Sequence, residues 1–85
     1  MNTQKLLKRI TVNPEVMTGK PTIRGLRITV EQILKALANG ITTQQLLEEY
    51  PELEKKDIQT VLVHATELVS EEKMYKIKEL TTPHS

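Results

Sequence analysis

Twice within twenty residues the chain carries the same helix-start signal. "ITVEQI" at 28–33 and "ITTQQL" at 41–46 each set an apolar residue before a threonine, a glutamine three positions later and a second apolar residue directly after it. The threonine hydroxyl accepts from the third helical N–H, the glutamine reaches back to the threonine N–H, and the two apolar residues clamp the approach angle. "LEKKDI" at 53–58 echoes the pattern with Leu53, Glu54, Asp57 and Ile58, more weakly because glutamate is a poor cap. The stops are equally local. "ANG" places Gly40 where a helix ends in the left-handed conformation, and Pro51 forbids continuation beyond "EY". Three helices follow, over about residues 30–39, 43–50 and 55–72.

Helical spacing then assigns a buried face to each. The first helix offers Val30, Ile33, Leu34, Leu37 and Ala38, the second Leu46, Leu47 and Tyr50, and the third Ile58, Val61, Leu62, Ala65, Leu68 and Val69. The core must be aliphatic, because the 85 residues include no Phe, Trp or Cys. A chain this short buries only about 60% of its unfolded surface and is marginal alone. Upstream, "RITV" at 9–12 alternates as a short strand does, and "PTIRGLRI" at 21–28 offers a second extended segment. The fold class expected is mainly α: a three-helix, homeodomain-like helix-turn-helix bundle with a short N-terminal two-stranded β element. The expected domain covers residues 10–70, preceded by a segment 1–9 and followed by a partly frayed extension 71–85. No apolar stretch has the length of a signal peptide or a membrane span, so the expected location is cytoplasmic, with no membrane association.

"MTGKPTIRGLRITV", residues 17–30, invites a nucleotide reading through its "GKPT". A phosphate loop needs a glycine five residues before the final Gly-Lys and a Ser or Thr after the lysine; here those positions hold Pro14 and Pro21. No helix runs through Lys20 ahead of a proline. The segment reads as a structural turn and strand feeding a capped helix, with Gly25 supplying a positive φ. Lys20, read as solvated, and Arg24 remain available for a nucleic-acid or protein contact, Arg24 as the outward-facing one. Arg27 reads first as an internal tie to a helix end or to an acid in the 48–57 region, and otherwise as a contact residue.

"ITVNPEVMTGKPTIRGLRITVEQILKALANGITTQQLLEEYPELEKKDIQTVLVHA", residues 10–65, resembles family 433 of the domains of unknown function. Its most specific parts are "GKPTIRGLRI" and the spacing to "YPELEKKDI", and Leu26 stands where the family carries threonine between Gly and Arg. Those proteins are small, prokaryotic and treated as VapB-type antitoxins. The resemblance implies the helix-turn-helix fold, an antitoxin role, and a PIN-like nuclease toxin as partner.

Charge cuts both ways for DNA. Residues 1–30 hold Lys5, Lys8, Arg9, Lys20, Arg24 and Arg27 against Glu15 alone. In a helix-turn-helix the recognition helix presents its first residues to the major groove, which here are Lys55, Lys56, Gln59 and Thr60. Glu48, Glu49, Glu52, Glu54 and Asp57 surround them and oppose phosphate attraction. Promoter DNA binding is therefore expected from a homo-oligomer, most simply a dimer, using the basic N-terminal segment. Val63, Met74 and Ile77 form a second, thinner apolar stripe for an oligomer or toxin interface. No cofactor, metal or catalytic set is expected: His64 and His84 lack partners for a site, and the acidic run lacks calcium-loop spacing. The alternative reading is a protein-interaction module or oligomeric adaptor with no nucleic-acid role.

Overall fold

The structure, a computed structural model, describes the backbone of residues 3–84 and the side chains of residues 3–70. It is mainly helical, with a two-stranded antiparallel sheet near the N-terminus. In chain order the elements are α1 (Thr3–Leu7), β1 (Ile10–Thr11), β2 (Thr22–Ile23), α2 (Val30–Ala38), α3 (Thr43–Glu49) and α4 (Lys55–His84), with a 3₁₀ turn at Met17–Gly19. No helix among the described residues is long and apolar enough to cross a membrane.

Both capping boxes form. Thr29 Oγ1 accepts from Gln32 N at 3.0 Å while Gln32 Oε1 accepts from Thr29 N at 2.8 Å. Thr42 and Gln45 do the same at 3.1 and 2.8 Å. Helix α2 closes with Gly40 at φ 88°, Gly40 N donating to Leu37 O and Ile41 N to Ala36 O, the paired bonds of a Schellman motif. Thr29→Ala and Thr42→Ala should each cost about 1 kcal/mol. Urea unfolding checks this, with Thr43→Ala, one residue into α3, as the neutral comparison.

β1 pairs with β2 in the register Ile10↔Ile23 and Thr11↔Thr22. β2 runs straight into a tight turn closed by Leu26 N donating to Ile23 O at 2.7 Å. Both central residues have positive φ, Arg24 at 46° and Gly25 at 74°, the signature of a type I′ turn. The glycine adopts that conformation freely; the arginine needs a tertiary reason to stay there.

The core gathers Ile23, Ile28, Val30, Ile33, Leu46, Leu53, Ile58 and Val61. Leu34, Leu37, Leu47 and Tyr50 pack against it half-buried. Two expectations need correction, and residues 1–9, to which the sequence assigns no element, gain one. Residues 1–9 contribute a helix, α1, whose Leu6 is buried and whose Leu6 O accepts from the buried Thr60 hydroxyl of α4 at 3.2 Å. The third predicted helix runs on past residue 72 as part of α4. Finally, spacing assigns Leu62, Leu68 and Val69 to the core, but they are 48%, 60% and 55% exposed, and Ala38 is exposed too. The short α2 and α3 cover only the first turns of α4, so its apolar stripe outlasts its partners.

Candidate functional site

The entrance of α4 is built around one carboxylate. Asp57 sits three residues after Glu54, and its Oδ2 accepts from Glu54 N at 2.8 Å, which completes the third helix start that the sequence wrote weakly. Leu53 and Ile58, both buried, flank it as the apolar clamp. The Asp57 side chain is fully buried, so its charge requires compensation.

Two arginines supply it. Arg24 Nη2 donates to Asp57 Oδ2 at 2.9 Å, and Arg24 Nε bridges both carboxylate oxygens at 3.1 and 3.3 Å. Arg24 Nη2 also donates to the Glu52 carbonyl at 2.6 Å, tying the β2 turn to the α3–α4 connection. Arg9 Nη1 donates to Asp57 Oδ1 and to Glu54 Oε1, both at 2.9 Å. The left-handed Arg24 is thereby explained: its turn aims the guanidinium at a buried charge. Burial alone pushes the Asp57 carboxyl up, but the bonds from Arg24, the Glu54 amide and Arg9 outweigh it and hold the pKa below the ordinary carboxylate value.

This sets an acid limb. A carboxylate depressed in the folded state contributes its full stability above the unfolded value, about pH 3.9. That contribution is lost as pH falls through the folded value. Melting temperatures of the wild type and Asp57→Asn should therefore differ by a constant amount from pH 7 to pH 5 and converge below about pH 4. A constant gap down to pH 2 would show that the Asp57 pKa is the same in the folded and unfolded states.

The expected contact residues sort differently from their expected roles. Arg24 faces inward onto Asp57, so the assignment of it as the outward cation is corrected. The internal tie to the 48–57 region expected of Arg27 is the one Arg24 makes, and Arg27 is exposed. Lys20 pairs with Glu31 at 2.9 Å at the surface, and Lys35 joins the same carboxylate at 3.2 Å. Lys55, Lys56 and Gln59 are exposed on the first turns of α4. Val63 is half-buried; the side chains of Met74 and Ile77 lie outside the described residues.

The charge balance of the surface shifts accordingly. Of the five acids expected to repel phosphate, Asp57 is buried and neutralised and Glu54 is paired with Arg9. On the basic side, Arg9, Arg24 and Lys20 are likewise engaged. Arg9 was not singled out from the sequence, and no local signal marks it; its partners lie 45 and 48 residues away. No group of three or more His, Asp or Glu that could hold a metal occurs among the described residues.

A family model described as "Protein of unknown function (DUF433)" matches residues 10–65. The chain belongs to this family. The DUF433 match ends within α4, twenty residues before the C-terminus of the chain. The chain is 29% identical over 56 residues to the uncharacterized protein y4eO of Sinorhizobium fredii (strain NBRC 101917 / NGR234), which covers 66% of this chain and 25% of that protein. It thus spans about a quarter of the length of that relative. It is also similar to the crystal structure of a DUF433 member from Anabaena variabilis ATCC 29413 at 2.00 Å resolution. That likeness has a TM-score of 0.67 and 29% identity, and covers 88% of this chain and 73% of the other.

Proposed function

We propose that this DUF433 chain is the antitoxin component of a prokaryotic toxin–antitoxin pair, binding a PIN-like nuclease toxin and, as an oligomer, its own promoter DNA. The observation that carries the DNA half is the α4 entrance. Lys55, Lys56 and Gln59 stand exposed on its first turns while Asp57 and Glu54 beside them are spent on Arg9 and Arg24. That removes part of the acidic opposition that the sequence alone presents to phosphate. It also moves the expected contact surface from the N-terminal segment to α4, with Arg27 as the remaining exposed cation of the turn. The toxin half rests on the resemblance of residues 10–65 to VapB-type antitoxins. The reading assigns the chain no catalytic step and places it in the cytoplasm.

The test is a titration of the purified protein against its own upstream DNA at several salt concentrations, with and without the protein encoded next to it. Each neutralised phosphate contributes about −0.9 to the slope of log affinity against log salt. Lys55→Ala and Lys56→Ala should each flatten the slope by about one such increment, Lys20→Ala should leave it unchanged, and Gln59→Ala should alter sequence preference. Absence of a shift at low salt in both samples leaves the second reading, an interaction module without a nucleic-acid role. The exposed Leu62, Leu68 and Val69 of α4 favour that alternative.

A further inference from the structure

The asparagines of the chain are Asn2, Asn13 and Asn39, and they differ in the residue that follows. An asparagine side-chain amide is an electrophile within ring-closing reach of the next backbone nitrogen. After Asn2 that nitrogen belongs to the β-branched Thr3, and after Asn13 it belongs to Pro14, which has no N–H. After Asn39 it belongs to Gly40, which has neither obstacle. Both residues are exposed, and the place a Cβ would take at Gly40 is open space. We propose that Asn39–Gly40 is a site of spontaneous deamidation and isoaspartate formation, that the folded α2–α3 turn holds the reaction back, and that the product keeps the turn from closing again. The proposal stands whatever the chain binds.

Gly40 N gives its proton to water or hydroxide and attacks Asn39 Cγ. The new N–Cγ bond closes a cyclic imide, the Cγ–Nδ2 bond breaks, and Nδ2 takes up a proton and leaves as ammonia. Water then opens the imide. Breaking the new N–Cγ bond gives aspartate; breaking the original peptide bond leaves the main chain running through Cβ and Cγ, an isoaspartate. Water is the only co-reactant. The fold restrains both partners. Gly40 N donates to Leu37 O at 3.1 Å, so its proton is held in a hydrogen bond. Asn39 Nδ2 donates to Lys35 O at 2.8 Å, which keeps the amide on the helix end. Asn39 N is fixed as well, on the carbonyls of Lys35 and Ala36. Ring closure therefore waits for the last turn of α2 to open. Either product damages the helix end it came from. A carboxylate only accepts, so the bond to Lys35 O is lost and a negative charge stands at the C-terminus of α2, where the helix dipole opposes it. An isoaspartate adds a carbon to the main chain, so Gly40 N and Ile41 N cannot both keep Leu37 O and Ala36 O. Ile41, packed half-buried against the core, and the Thr42 cap of α3 follow directly in the chain.

The test incubates the full chain in warm, mildly alkaline buffer, folded and in urea, with tryptic digestion and mass spectrometry at intervals. The peptide beginning at Ala36 should gain the mass of an amide-to-acid conversion and become a substrate for an isoaspartyl methyltransferase, while the peptides holding Asn2 and Asn13 stay unchanged. Conversion should be at least about tenfold slower in the folded protein than in urea, because it needs the open turn. The urea midpoint of the aged protein should fall in step with the converted fraction. Asn39→Gln, whose longer side chain closes a ring slowly, should keep its midpoint through the same incubation, and Asn39→Asp should show part of the loss from the start with its helical circular dichroism intact. An unconverted Asn39 in urea overturns the proposal at its chemistry. Equal rates in the two conditions overturn it at the protection by the turn. Converted protein with the midpoint of fresh protein, or an Asn39→Gln protein that ages as fast as wild type, overturns it at the consequence.

Discussion

Asp57→Ala should remove about 3–5 kcal/mol of stability, through loss of its charge-assisted bonds to two arginines together with the cap of α4. The substitution strips three things at once. Arg24 and Arg9 lose the carboxylate that they share at 2.9 Å. The Glu54 amide at the start of α4 loses its acceptor. The left-handed Arg24 loses the interaction that offsets its strained backbone. A domain of this size has roughly 4–13 kcal/mol in total, so the variant should be near its folding threshold at room temperature. Asp57→Asn should be milder, since an amide oxygen still accepts from Glu54 N while the two guanidinium groups, partly exposed, recover water. Arg24→Ala should lie between them, because Arg9 still holds the carboxylate. Urea midpoints give the order, and a double-mutant cycle between Arg24 and Asp57 gives the coupling directly. An Asp57→Ala midpoint within error of wild type would show that the cluster does not hold the fold together.

Ile23→Ala should cost about 2–5 kcal/mol, and Leu62→Ala about 1 kcal/mol or less. Sequence periodicity ranks these two residues the other way, with Leu62 on a predicted core stripe and Ile23 in a short extended segment. Ile23 is fully buried among α2, α3 and α4 residues, and a truncated side chain there leaves a cavity that the short sheet cannot close. Leu62 is 48% exposed, so truncation gives back mostly surface already in contact with water. Equal losses for the two variants would mean that the core extends along α4 beyond Val61.

What the sequence determined by itself is local. The helix starts at Thr29 and Thr42 and the stops at Gly40 and Pro51 follow from contacts within about five residues, where chain connectivity supplies the partner, while the extended segments around Ile10 and Ile23 show in their residue pattern. The family was legible for a related reason: "GKPTIRGLRI" and "YPELEKKDI" are contiguous strings. The roles of charged residues were not legible. Arg24 and Arg27 flank the same dipeptide, and nothing local says which turns inward. The choice is made by the type I′ turn, which aims Arg24 at a carboxylate 33 positions away. Arg9 reaches the same carboxylate from 48 positions. The buried extent of α4 was likewise a tertiary matter, because periodicity shows which residues share a face but not how far a neighbouring helix covers it. Helices α2 and α3 are nine and seven residues long, and α4 outruns both. Leu68 and Val69 therefore continue the core stripe in sequence while standing in solvent in the fold, where they form one wall of a groove between α2 and α4.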